Sequence, residues 1–209
     1  MLLLGACGTE PIAAPPAPPV PTDPTGATAV RLEQTDDSTI AGALSLACSD
    51  TGGTMENSWY RVFPLRDFAI GGAFTVNRVN FGVQTAIGTQ RVQVSIGTYK
   101  GSAGAELLDA TKLDMLAMTS VVVPPTSHGE ILQANFAAVE IAPGANLVVE
   151  VHSPAHGVDS SYFYLGATKG QETIPGYLRA PACNTPDPLM TSSLGYLRTH
   201  LIIAVSGSH

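Results

Sequence analysis

Charge is scarce in this chain. Asp, Glu, Lys and Arg make up 13% of its 209 residues, about half the share of an ordinary soluble domain, so Ser, Thr, Asn, Gly and Pro must cover much of the surface. The ten Lys and Arg residues form no run and the net charge is −7. Binding to phosphate backbones relies on clustered basic residues, so nucleic acid is excluded as a partner. No stretch stays apolar for the roughly 18 residues a membrane-spanning helix needs. There is no repeat with a period of about 20–50 residues, which excludes propellers and β-helices. Cysteine numbers only three, without a Cys-x-x-Cys and without a His-x-x-x-His backed by further ligands, so structural zinc is not expected. A Gly-x-Ser-x-Gly nucleophile elbow is missing too. No cofactor and no catalytic residue is expected.

What the chain has in quantity is turn chemistry, with 21 Gly and 16 Pro. Prolines 11, 15, 16, 18, 19, 21 and 24 fall in one stretch, PIAAPPAPPVPTDP, which favours extended polyproline II and acts as a spacer. Just before it stands Leu4-Gly5-Ala6-Cys7, which resembles a bacterial lipobox. That resemblance implies lipidation of Cys7 and removal of the residues before it, although Leu2–Leu4 is shorter than the apolar core of an export signal. Gly8 is not the aspartate that retains many Gram-negative lipoproteins at the inner membrane, which favours the outer membrane in an organism that has one; the expected location is the outer membrane or cell surface by lipid anchor, or secretion. The expected organisation is therefore a truncated lipoprotein signal over residues 1–7, a Pro-rich tether over 8–37 and a folded domain over 38–209, with the membrane as partner through Cys7.

Beyond the tether, short apolar runs alternate with period two. Val92, Val94 and Ile96 interleave with Arg91, Gln93 and Ser95, and Val79, Phe81 and Val83 with Asn80 and Gly82, the pattern of half-buried strands. Further strands are predicted over 39–48, 58–64, 114–123, 131–141, 146–152, 161–166 and 197–205, about nine in all, with helical turns only near 65–69 and 104–110. Turns are marked by sequences such as Ala142-Pro143-Gly144-Ala145. The expected fold is all-β: an antiparallel β-sandwich of jelly-roll type, with Phe81, Val92, Val94, Ile96, Leu147, Val149, Val151 and Ile203 between the layers. In an exported chain Cys48 and Cys183 should bridge.

The string Glu56-Asn57-Ser58-Trp59-Tyr60-Arg61-Val62-Phe63, followed by Val79-Asn80-Phe81-Gly82, Gly144-Ala145-Asn146-Leu147 and Gly176-Tyr177-Leu178-Arg179, resembles a β-sandwich module of bacterial secreted and surface lipoproteins. The blocks occur in order over residues 46–206. The resemblance implies a non-catalytic binding or structural role in the envelope and carries over no catalytic residue.

Candidate contact residues are few. In a regular strand one of Trp59 and Tyr60 faces inward and the other outward; Trp59 is read as core and Tyr60 as the exposed member. Tyr60 and Tyr162 are the first candidates for stacking on glycans, in an adhesion or carbohydrate-binding role, with Trp59 behind them. Other envelope proteins are the alternative partners, and open sheet edges would suit a subunit of a surface polymer. A metal-dependent hydrolase would need His152, His156 and Asp159 to converge, a thin ligand set. His200 shares a strand face with Ile202 and Ala204, where burial would call for a hydrogen bond. Asp50 and Glu56 offer oxygens to calcium, although Asp50 in Asp-Thr-Gly-Gly equally reads as an Asx turn.

Overall fold

The computed structural model describes residues 27–155 and 161–209; Cys7 and the whole proline stretch lie outside them. Among the described residues thirteen strands form two main antiparallel sheets and a short ribbon. The first sheet runs β1 (Ala29–Leu32), β13 (Ile203–Ser208), β3 (Phe74–Ile87), β6 (His128–Ile141), with β8 (Tyr162–Leu165) also paired to β3. The second runs β11 (Thr185–Met190), β10 (Tyr177–Ala180), β2 (Asn57–Pro64), β7 (Asn146–Ser153), β4 (Gln90–Tyr99), β5 (Leu113–Val123). The ribbon pairs β9 (Ala167–Thr168) with β12 (His200–Leu201). The chain passes from one main sheet to the other at β1–β2, β2–β3, β3–β4, β5–β6, β6–β7 and β7–β8. The fold is thus an all-β antiparallel sandwich with more strands than the nine expected.

Alternation explains the core. All eight residues expected between the layers are buried in one continuous apolar cluster, joined by Trp59, Phe63, Phe74 and Phe163. Trp59 and Phe163 meet edge to face at 5.7 Å, a favoured aromatic geometry. At the β6–β7 turn the Ala145 amide donates to the Ala142 carbonyl at 3.2 Å, with Pro143 between them and Gly144 at φ 69°. Proline followed by a residue at positive φ is the signature of a type II turn. Where β8 ends beside β3, Gly82 and Gly166 touch backbone to backbone: the Gly166 amide donates to the Gly82 carbonyl at 2.8 Å, and a Cβ on Gly166 would stand 2.9 Å from the Gly82 carbonyl carbon. Only glycine allows that approach.

Three sequence expectations need correction. Ala29–Leu32 falls inside the segment assigned to the tether, yet it pairs with β13 over four residues; folded structure therefore begins before residue 38. The stretch 39–48 is not a strand. Its backbone groups are taken by side chains and loops instead: Leu46 carbonyl by Trp59 Nε1 at 2.6 Å, and Cys48 amide by Asn57 Oδ1 at 2.7 Å. The expected helical turn over 65–69 is present as a 3-10 turn at Leu65–Phe68, but the one expected over 104–110 is not; a single 3-10 turn at Ala110–Lys112 follows it.

Cys48 and Cys183 form a disulfide spanning 135 residues, tying the irregular segment before β2 to the 3-10 turn after β10. On the loop-entropy account a closure of this length stabilises by about 5 kcal/mol. Replacing both cysteines by serine should lower the unfolding free energy in urea by about that amount with little change in far-ultraviolet circular dichroism; a loss below about 1 kcal/mol would show that the denatured chain is already constrained.

Candidate functional site

An arginine lies in the interior of the sandwich. Strand β2 alternates Asn57, Trp59, Arg61 and Phe63 on its core side, and Arg61 is fully buried. Taking a guanidinium out of water costs several kcal/mol unless its donors are satisfied. Here Nε donates to the Leu201 carbonyl at 2.9 Å, Nη1 to the Ile174 carbonyl at 2.6 Å and to Gln34 Oε1 at 3.2 Å, and Nη2 to Glu172 Oε2 at 2.8 Å. Gln34 in turn donates its amide to the Val62 carbonyl. Burial pulls the guanidinium below its usual pKa, and the Glu172 charge opposes that shift.

The second Glu172 oxygen faces His200. Oε1 stands 2.7 Å from Nδ1, close enough for an ion pair with a protonated ring, but Nδ1 makes no aligned hydrogen bond. Above the pair opens a cleft of about 460 Å³ lined by Lys169, Gly170, Gln171, Glu172, Arg198 and His200. The Gln171 backbone amide donates to Asp36 Oδ1 at 2.7 Å. With Glu172 committed to Arg61, the cleft's unengaged charges among the described residues are Lys169 and Arg198. Sequence reasoning singled out His200 as a residue whose burial would call for a hydrogen bond, but missed Arg61 and Glu172. The available signal was parity: in NSWYRVFP, Arg61 falls on the same face as Trp59 and Phe63.

The candidate tyrosines divide. Trp59 is core, as expected. Tyr60 does point away from the core, but it is only 5% exposed, which corrects its assignment as an exposed contact. A second apolar cluster of Tyr60, Val62, Tyr99, Leu108, Val148 and Tyr177 covers that face of the sheet. The connection between β4 and β5 closes over it, with the Gly104 amide bound to the Tyr177 hydroxyl and the Asp109 amide to that of Tyr99. The Tyr60 hydroxyl donates to Glu150 Oε1 at 2.7 Å. Burial, then the adjacent Glu150 charge, pushes its pKa well above the ordinary value. Burial raises that of Tyr177 as well.

Tyr162 remains on the surface, half-buried, and Tyr164, which was not singled out, lies beside it. Two positions apart on β8, they share a face opposite the core residues Phe163 and Leu165. Their rings are nearly parallel, with an interplanar angle of 8° and centroids 6.1 Å apart. Each hydroxyl is tethered to the turn around Asp50: Tyr162 donates to the Thr51 carbonyl at 3.1 Å and Tyr164 to Ser49 Oγ at 3.4 Å. That turn is held by Asp50 Oδ1, which accepts from the Gly52 and Gly53 amides at 2.8 and 3.1 Å, the Asx turn reading of this residue. Glu56 is engaged by Arg179 at 2.5 Å, so the two oxygens considered for calcium serve other purposes.

His152 sits within β7, its Nδ1 2.9 Å from Ser58 Oγ; His156 and Asp159 lie outside the described residues. Among the described residues no three His, Cys, Asp or Glu side chains converge as a metal-ligand set. A shallow apolar recess of about 240 Å³ adjoins the disulfide, lined in part by Leu46, Leu178, Leu194 and Tyr196, below the roughly 300 Å³ at which small-molecule pockets begin.

No protein-family profile, curated protein sequence or solved structure matches the chain.

Folding linkage follows from Tyr60 and Tyr177. Both have folded-state pKa values above that of a free tyrosine, near 10, so the native state retains protons that the unfolded chain loses. Their contribution to stability is complete below about pH 10 and is lost as pH rises above it. Urea unfolding midpoints should hold steady up to that region and then fall, and the fall should be shallower in Tyr60→Phe; equal slopes in the two proteins would contradict the assignment.

Proposed function

We propose that this chain is a non-catalytic, extracytoplasmic envelope module that works by binding, held to a membrane by a lipid on Cys7 and projected by the proline-rich stretch. The observation that carries the reading is the Cys48–Cys183 disulfide, because such bonds persist in oxidising compartments and are rare in the cytosol. The lipobox resemblance and the tether agree with that address. The buried Arg61–Glu172 pair and the tyrosine cluster support a structural use of most polar groups outside the surface loops.

Carbohydrate is the ligand class favoured by a specific feature, the Tyr162–Tyr164 pair. Two aromatic rings fixed side by side on a strand, with their hydroxyls already tied down, meet a sugar face with little loss of side-chain freedom. A hydrolase built on His152, His156 and Asp159 is the competing reading, and His152 is engaged by Ser58.

Intact mass and detergent partitioning of natively purified protein test the address. The expected species begins at Cys7 carrying acyl chains and gains about two daltons on reduction; an unlipidated chain retaining Met1, with free thiols, would overturn it. For the ligand, binding on a glycan array should be lost in Tyr162→Ala and retained in His152→Ala. Bound metal lost from His152→Ala would instead support the hydrolase.

A further inference from the structure

The second sheet ends in an edge that lacks the usual defences against pairing. Open edges are commonly blunted by lysines, prolines, bulges or short length. At the opposite end of that sheet β11 contains Pro186 and Pro188, and β1 at one edge of the first sheet is only four residues long. Strand β5 is paired on one side only, to β4. A register irregularity between Met115 and Ala117 disturbs its first half, but from Ala117 to Val123 the register is regular and the residues, AMTSVVV, include no charge, proline or glycine. No Lys or Arg occurs anywhere between Lys112 and Lys169. Uncharged, β-prone segments of this length on an exposed edge are templates for another strand.

The side chains show which strand fits. Met118 and Val122 point outward and are 61% and 50% exposed. Their neighbours across β4 are Ser95 and Arg91, with Gln93 beside Ser120 between them. This short apolar column therefore has no apolar partner across the ladder on β4, and along β5 the exposed Leu116 precedes it. If a second β5 pairs antiparallel about Ser120, Met118 meets the other copy's Val122 twice and Ser120 meets Ser120. On the inner face, Thr119 meets Val121, and Ala117 meets Val123. Aromatic, β-branched and apolar cross-strand pairs of this kind stabilise sheets, and no charge is brought opposite a like charge. The other long open edge, β6, is poorly suited to self-pairing: it carries Glu130 and Glu140, and antiparallel pairing about its middle brings Glu130 of one copy within a residue of Glu140 of the other. Directly following Val123, Pro124 and Pro125 stop any extension of the β5 pairing.

We propose that the occupant of the β5 edge is a second copy of this chain, paired antiparallel through Ala117–Val123 about a two-fold axis at Ser120. Both β5 edges are consumed, so the assembly closes as a dimer with one continuous sheet and does not grow into a filament.

Sedimentation velocity on the full chain across the micromolar range tests this. The unmodified protein should show a concentration-dependent monomer–dimer equilibrium. Ser120 is exposed, so Ser120→Lys and Ser120→Glu should each keep the native circular dichroism spectrum. Each should lose the dimer, because like charges then face one another across the axis. Mixing the two variants should restore it as a heterodimer. A chain monomeric throughout, a Ser120→Lys variant that still dimerises, or a mixture that stays monomeric would overturn the proposal.

Discussion

The buried guanidinium of Arg61 is the constraint on which the irregular parts of this fold depend. A β-sandwich core needs no charge, and an apolar residue at this position would pack with Trp59 and Phe63. Once an arginine is there, its donors require acceptors from outside β2, whose backbone pairs with β7 along its whole length and with β10 over Ser58–Tyr60. The four acceptors come from three separate places: Gln34 after the first strand, Glu172 and Ile174 in the connection leading to β10, and Leu201 in β12. One side chain thereby fastens segments that have few ladder bonds of their own. Breaking such a pair from one side leaves a buried charge unpartnered, which costs about 3–5 kcal/mol. The knot is therefore brittle to single substitutions even though an apolar replacement of the whole pair need not be harmful.

Strand β2 repeats this device along its inner face. Asn57 takes the Cys48 amide and carbonyl and Trp59 takes the Leu46 carbonyl; Arg61 takes the four acceptors above. On the outer face Ser58 meets His152 and Tyr60 meets Glu150. The string Asn-Ser-Trp-Tyr-Arg is a row of polar handles on a strand buried along its whole length, and the Cys48–Cys183 bond locks the loop that two of those handles hold. The rigid frame that results leaves the surface free for contact, with the tyrosine pair on β8 and the bare edge of β5 as its two least defended parts.

The sandwich was legible because its central strands obey period two: Val92, Val94 and Ile96 on β4 and Leu147, Val149 and Val151 on β7 all reach the core. Peripheral elements were not. Ala29–Leu32 follows a proline-rich stretch and becomes a strand only because β13 offers an edge, information stored some 175 residues away and invisible to local pattern. Residues 39–48 are apolar enough for a strand, but side chains of β2 capture their backbone. Tyr60 was placed on the correct face, and its burial was missed because the layer covering that face comes from the β4–β5 connection. Arg61 was overlooked because a charged residue in a strand usually marks its solvated side; only its parity with Trp59 and Phe63 said otherwise. Tyr162 was found as an aromatic at a strand start, whereas pairing it with Tyr164 required fixing the strand register.

Arg61 and Glu172 act as a unit in holding the irregular segments, and a double-mutant cycle measures that most directly. Urea unfolding of the parent chain, Arg61→Met, Glu172→Leu and the combined variant should give two costly single changes and a double change well short of their sum, a coupling of several kcal/mol. Additive losses within about 0.5 kcal/mol would mean that the two side chains are held independently and that the buried pair does not organise the fold.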